Sequence, residues 1–176
     1  MNKTRRIALY IYLVLAGIGL QFELGGMAEK DVTLEAGRDL VLNLAVLAAF
    51  FLPFYFLIKK LAKKLSVETI VLGTALFGGA FISGWLSFAG NSLIDIINSN
   101  FIKDPAVFNA WTNALTAPFA EEFFKSLTAF AALYILGRKD IQSVLIAGLS
   151  SGFGFQVIED IAYAVSYTHL TLPTTP

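Results

Sequence analysis

Residues 117–125, with the sequence APFAEEFFK, place two glutamates and a lysine near the start of a long apolar run. Charged side chains are costly in hydrocarbon, and within membrane spans they almost always face the bundle interior or a water-filled cavity. A second acidic pair, at residues 159–160, follows about one helix later. We therefore predict that these two clusters face each other and form the functional site.

The composition indicates a membrane protein. Of 176 residues, 56% are hydrophobic and 15% are charged, and the mean hydropathy is +0.69, whereas soluble domains are roughly 45–50% apolar and 25% charged. The lack of cysteine excludes disulfides, thiolate metal sites and a cysteine nucleophile. The net charge of zero gives no indication of nucleic-acid binding. Because the composition is so apolar, we expect the lipid bilayer to surround the protein.

The apolar segments predict an all-α polytopic bundle forming one transmembrane domain over residues 1–165. Because a crossing needs about 20 residues, we predict five spans, at about residues 7–22, 40–58, 70–97, 114–136 and 144–165. The basic start and first apolar run also fit a secretory signal peptide, but the length of the run favours an uncleaved span. Residues 23–39 are predicted to form a polar loop, and Asp95 favours an interfacial turn near the end of span three.

The distribution of lysine and arginine predicts the orientation. The successive segments outside the spans carry three, two, four, one and two of these residues. Richer segments alternate with poorer ones, which by the positive-inside rule places the N-terminus in the cytoplasm. We therefore predict a multi-pass protein of the plasma (inner) membrane.

The last eleven residues, 166–176, break the apolar pattern abruptly. They resemble translated adapter or vector sequence, so we predict a non-native tail and expect the natural protein to continue with at least one more span. The only histidine, His169, lies in this tail and is not expected to be a metal ligand.

Helical rise brings the two acidic clusters to the same depth. Glu121 lies ~10 Å into span four and Glu159 ~9 Å from the end of span five, both measured from the outer face at 1.5 Å per residue. Lys125 follows Glu121 by four residues and Glu122 by three, so it can pair with either. These spacings predict a site near the outer leaflet.

Small residues on span five predict how Glu159 is oriented. Gly148, Gly152, Gln156 and Glu159 share one helical face. Because small residues let helix backbones approach closely in membranes, we predict that this face packs against another helix and carries Glu159 inward. The glycines of span three, Gly73, Gly78, Gly79 and Gly84, are predicted to serve close helix packing in the same way.

The residues alone leave three interpretations open. In an enzyme, one carboxylate acts as general base toward a water molecule while another, protonated or metal-bound, acts as the acid. In a membrane scaffold or immunity-type protein, Lys125 and its neighbouring glutamates form an ion-pair network that fixes helix register. In a proton-coupled transporter, an intramembrane carboxylate relays protons.

Two segments resemble one family. Residues 121–125, EEFFK, resemble the EExxK motif of the PrsW-type intramembrane proteases, which are related to the CAAX-prenyl-protease (Abi) group. Residues 148–160 resemble that family's second motif, a Gly/Phe-rich run that closes in Glu-Asn. The resemblance implies hydrolysis of a membrane-anchored protein near the extracytoplasmic side. In the best-known members the substrate is an anti-sigma factor, cleaved at site 1.

The resemblance also implies roles for individual residues. Glu121 and Glu122 would be catalytic or metal-facing acids, Lys125 their supporting cation, and Glu159 the acid of the second motif. A divalent metal such as zinc would have Glu122 and Glu159 as candidate ligands. Carboxylates alone are a poor ligand set for zinc.

The chain departs from the family's pattern in two places. Asp160 stands where the family commonly has Asn, and the family's later histidine motif is missing. The chain as given is therefore expected to lack a complete site and to be inactive if that motif is essential.

Overall fold

The computed structural model describes residues 1–28 and 34–167, and nearly all of them are helical. These described residues form six α-helices, and a π-helical segment, Gly79–Ser83, joins the third to the fourth. The helices are α1 (Lys3–Ala28), α2 (Leu34–Lys64), α3 (Thr69–Gly78), α4 (Gly84–Phe101), α5 (Pro105–Leu136) and α6 (Ile141–Tyr167). The predicted all-α architecture is confirmed.

Within the described part of the chain, four helical segments are long and apolar enough to cross a membrane. They are Lys3–Glu23, Leu40–Lys64, Thr69–Phe101 and Ile141–Val165, which correspond to four of the five predicted spans. The other predicted span, 114–136, is helical within α5, but its two glutamates and lysine lower its apolarity. The protein is therefore an all-α membrane bundle, and the crossing of α5 stays a prediction.

The predicted loops are shorter in the structure. α1 continues past residue 22 to Ala28 and α2 begins at Leu34, so the predicted polar loop is wrong for residues 23–28 and 34–39. Its remaining part, residues 29–33, lies outside the described residues. The interfacial turn predicted at Asp95 is also wrong, because α4 continues through it to Phe101. Hydropathy marks where a span leaves the hydrocarbon, whereas a helix can continue beyond that level.

The beginning of α5 has a clear local cause. The Asp104 carboxylate accepts hydrogen bonds from the backbone N–H groups of Ala106 (2.8 Å) and Val107 (3.3 Å), and Pro105 occupies the first helical position. An acidic N-cap followed by proline is a strong helix start. The connector from α4 is therefore only residues 102–104.

The core lies where α3, α5 and α6 meet. Its buried residues are small or branched: Val71, Ala75, Ala129, Ala132, Leu133 and Ala147. A second cluster of Tyr12, Ala16, Ile82 and Ile135 attaches α1 to the same centre. Since lipid is as apolar as leucine, such helices associate through close packing and interhelical hydrogen bonds rather than through the hydrophobic effect.

Three glycines allow close backbone approach, and the tightest is Gly19 in α1, where a methyl group would collide with the carbonyl oxygen of Phe81. A methyl group at Gly79 would collide with the backbone of Ser151, and one at Gly154 with the carbonyl oxygen of Leu76. Gly78 and Gly84 are also closely approached, whereas Gly73 has open space around its Cα atom. The predicted packing role of the span-three glycines is therefore confirmed at three of the four positions.

The face of α6 that packs differs from the predicted one. Nothing lies within 4 Å of a methyl group built at Gly148 or Gly152, so the prediction that this face packs against another helix is wrong. The packing face carries Ala147, Ser151 and Gly154, which are spaced i, i+4, i+7 and buried.

The basic segments lie together at one end of the bundle. The guanidinium of Arg5 lies against Gly137 in the α5–α6 turn, and Arg138 in that turn pairs with Glu68 in the α2–α3 loop. This ion pair raises the pKa of Arg138. The N-terminus and these two loops therefore lie at the same end of the bundle, as the positive-inside pattern requires.

The first prediction tests the packing of α6. Gly154→Ala should lower stability by about 1–3 kcal/mol, because its methyl group meets backbone that cannot move aside. Gly148→Ala, the matched control, should be neutral or stabilising by up to ~1 kcal/mol, since alanine is the better helix former. Reversible unfolding in mixed detergent micelles measures both. Equal effects of the two substitutions would contradict this account of α6.

The second prediction concerns Asp140, which caps α6. The backbone N–H of Ser143 donates to its carboxylate at 2.8 Å, and this bond lowers the pKa of Asp140. The cap therefore stabilises the fold above the unfolded value of about 3.9, and the contribution is lost as pH falls through the lower folded value. Asp140→Ala should reduce the Tm at pH 7, and the difference from wild type should shrink below pH 4. A difference that is independent of pH would contradict it.

Candidate functional site

A cavity of about 490 Å³ opens between α1, α4, α5 and α6, at the end opposite the basic segments. Its lining includes the carboxyl groups of Glu23, Glu121 and Glu159, together with the polar side chains of Ser87, Asn91 and Tyr163. We call it the acidic cavity. The two predicted acids that lie on successive helices, Glu121 and Glu159, therefore line one space, and Glu23 of α1 lines it with them.

Lys125 lies at the centre of the acidic residues of α5. Its Nζ atom is 3.3 Å from the Glu121 carboxylate and 2.9 Å from that of Glu122, so the predicted pairing is confirmed with both partners. The ammonium group also lies 4.1 Å from the centre of the Phe155 ring, a cation–π contact. These contacts hold the Glu121 carboxylate at the wall of the acidic cavity.

Glu122 points to a different space. Its side chain is 72% exposed, against 23% for Glu121, and it lines a second cavity of about 400 Å³ with Lys125, Gly148 and Gly152. The structure thus separates Glu122 from Glu159. Asp160 accepts a hydrogen bond from Gln156 at 2.9 Å and lines neither cavity.

Glu23 is the residue of the acidic cavity that the sequence analysis missed. It ends the first apolar segment, and its carboxylate lies against Gly84, where a methyl group would come within 2.8 Å of the Oε1 atom. A signal was present: with a cytoplasmic N-terminus, span one ends at the outer face, the same face from which the depths of Glu121 and Glu159 are counted.

Three buried hydroxyl groups tie the helices of the site together. Thr128 Oγ1 lies 2.9 Å from Ser83 Oγ and 2.8 Å from Ser151 Oγ, and Ser151 donates to the backbone carbonyl of Lys125 at 2.8 Å. The residues are between 0% and 2% exposed. We call them the hydroxyl network. It fixes α5, at the turn that carries Lys125, against both the π-helical segment and α6.

Two polar atoms on α4 lack partners. Ser87 Oγ and Asn91 Oδ1 are buried and have no hydrogen-bond partner among the described residues, and Ser87 is only 3% exposed. Both residues line the acidic cavity. Because buried polar groups are nearly always hydrogen-bonded, these atoms are available to a ligand or to water.

The described residues do not form a metal site. No group of three or more His, Cys, Asp or Glu side chains within residues 1–28 and 34–167 is placed to hold a metal ion. The candidate ligands Glu122 and Glu159 line different cavities, and His169 lies outside the described residues. The donors that are present are carboxylates, which suit hard cations better than zinc.

The comparison with protein families identifies the chain. Residues 66–173, more than half of the chain, match the family described as PrsW family intramembrane metalloprotease. The chain belongs to this family. The PrsW match includes the whole of α3 to α6 and leaves α1 and α2 outside it. Searches for similar curated proteins and for similar solved structures found no match.

The third prediction tests the hydroxyl network. Thr128→Val should lower stability by roughly 0.6–1.7 kcal/mol, the range measured for interhelical hydrogen bonds in membranes, because two buried hydroxyls lose a partner. Thr128→Ser keeps the hydroxyl and should be milder. Thr69→Val, at an exposed position on α3, is the matched control and should have little effect. Detergent unfolding measures all three. If Thr128→Val were as mild as the control, the network would not hold the helices.

Proposed function

We propose that this PrsW-family protein hydrolyses a peptide bond of a membrane-anchored protein near the extracytoplasmic side of the membrane. The observation that carries the proposal is that Glu121 and Glu159, one from each family motif, line the same cavity. Two carboxylates beside one space are the minimum for general base and general acid action on a bound peptide.

The two carboxylates would divide the work. Glu121 takes a proton from a water molecule in the acidic cavity, and the resulting hydroxide attacks the carbonyl carbon of the peptide. Glu159, in its protonated form, gives its proton to the nitrogen as the C–N bond breaks, which leaves an acid and an amine. Glu121 is the better base candidate of the EExxK pair, because Glu122 faces the second cavity.

Lys125 and Glu122 act as positioning residues in this mechanism. Lys125 holds Glu121 from the side away from the substrate, and Glu122 holds Lys125 at 2.9 Å. Catalysis depends on orientation at the level of an ångström, so the loss of either contact weakens catalysis without removing a reacting group.

The metal implied by the family description has no step in this mechanism, since the described residues do not provide its ligands. The family description implies a divalent ion such as zinc, and we assign no residue of this chain to it.

The location of the acidic cavity supports the proposed side of cleavage. The cavity is lined by Glu23, at the end of the first span, and by Tyr163, near the end of α6, whereas Arg5 and the α5–α6 turn lie at the basic end. If the basic end is cytoplasmic, as we propose for a plasma (inner) membrane protein, the cavity opens extracytoplasmically. A membrane-anchored anti-sigma factor cleaved at site 1 is the substrate class we propose.

The fourth prediction tests the catalytic carboxylates. Glu121→Gln and Glu159→Gln should each lower cleavage by 10²-fold or more, the usual contribution of a general acid or base, while accumulation in the membrane stays normal. Glu122→Gln should lower it about tenfold by the loss of orientation. Asp160→Asn, which restores the residue common in the family, is the charge-matched control and should retain activity.

The measurement uses proteoliposomes that contain the full chain and a panel of single-span membrane proteins, with fragments identified by mass spectrometry. Normal fragment yields from Glu121→Gln and Glu159→Gln would refute the mechanism. A scaffold would give no fragments from any variant, together with lower stability of the glutamate variants. A proton-coupled transporter would instead show a pH-driven flux that depends on Glu159.

A further inference from the structure

Most of the polar groups that line the acidic cavity can accept hydrogen bonds. Glu23 and Glu121 contribute carboxylates, the unpartnered Asn91 Oδ1 adds an acceptor oxygen, and the hydroxyls of Ser87 and Tyr163 can accept as well as donate. Among the described residues, no lysine or arginine lines the cavity. A space with this lining complements a group that only donates hydrogen bonds.

The walls of the acidic cavity are aromatic. The rings of Phe22 and Phe88 lie 5.6 Å apart, centre to centre, and Phe155 lines the space from α6. The Lys125 ammonium over the Phe155 ring shows that this ring accepts a cation. Carboxylates beside aromatic faces provide both contacts that a cation needs, an ion pair and a cation–π contact.

Basic side chains have the matching chemistry. An arginine guanidinium carries five N–H donors and no acceptor, and a lysine ammonium carries three donors and no acceptor. The cavity of about 490 Å³ falls in the range of roughly 300–1,000 Å³ that is typical of ligand sites.

We propose that the acidic cavity binds a lysine or arginine side chain of the substrate, and that Glu23 determines this specificity. The proposal rests on the proposed function for the identity of the ligand as a substrate side chain. It adds α1, which lies outside the family match, to the site.

Glu23 is the carboxylate best placed for this role. Glu121 already pairs with Lys125 at 3.3 Å, and Glu159 is assigned to proton transfer. Glu23 lines the cavity, and the missing side chain of Gly84 leaves room for its carboxylate. The proposed reaction does not use the Glu23 carboxylate, so this group can accept hydrogen bonds from a bound cation.

The test is a binding measurement on the full chain in detergent, with no cleavage required. The probes are N-acetyl-arginine amide, N-acetyl-lysine amide and N-acetyl-citrulline amide, the last being the neutral analogue of arginine. The charged probes should raise the Tm in a saturable way, and citrulline should not. The relative effects of the two charged probes distinguish guanidinium from ammonium.

Variants locate the effect. Glu23→Gln should weaken binding of the charged probes about tenfold, and Gly84→Ala, whose methyl group crowds the Glu23 carboxylate, should weaken it as well. Asp160→Asn removes the same charge outside the cavity and should leave binding unchanged. The Tm of each variant without probe shows that it is folded.

Two results would overturn the proposal: equal Tm shifts from arginine and citrulline amides, or an unchanged response in Glu23→Gln. Either would leave the proposed hydrolysis intact if Glu121→Gln still abolished cleavage. Conversely, charge-selective binding without cleavage would refute the proposed function and retain a cation site.

Discussion

The hydroxyl of Thr128 contacts Ser83 and Ser151, and the arrangement of the site depends on these contacts. Hydrocarbon offers no water to a buried hydroxyl, so the three groups must satisfy one another and nearby carbonyls. Along α5 the network lies one turn from Lys125, and along α6 about two turns from Glu159. Because it sets the register of both helices, it decides whether Glu121 and Glu159 meet in one cavity.

The sequence could predict that Glu121 and Glu159 lie at a common level of the bundle, beside one cavity, but not the rotation of its helices. Glu121 and Glu159 were each placed by a count of a few residues from the same face, and over so short a distance the helical rise accumulates little error. Rotation is different, because α6 carries small residues on two faces. Gly148 and Gly152 are as small as Gly154, and the choice between the faces is made by Leu76 and Gly79 on the neighbouring segments.

The charged residues show a second limit of the sequence. Glu23 follows an apolar run, and hydropathy alone places such a residue in a loop, although α1 continues to Ala28. In α5 hydropathy misleads in another way. The two glutamates and the lysine lower the mean hydropathy of a helix that nevertheless packs within the bundle. In both cases the contacts of the side chain, with Gly84 for Glu23 and with Lys125 for Glu121, determine how the charge is accommodated.

The family motifs and the acidic cavity do not coincide. The motifs supply Glu121 and Glu159, but they also include Glu122, which faces another space, and they leave out Glu23 and the rest of α1. An acidic side chain at membrane depth is tolerated where it meets water or a polar partner, and the cavity places all three glutamates beside a space large enough to hold water. The function would therefore depend on the whole lining of the cavity and not on the motifs alone. α1, which lies outside the matched region, contributes to that lining together with α4, α5 and α6.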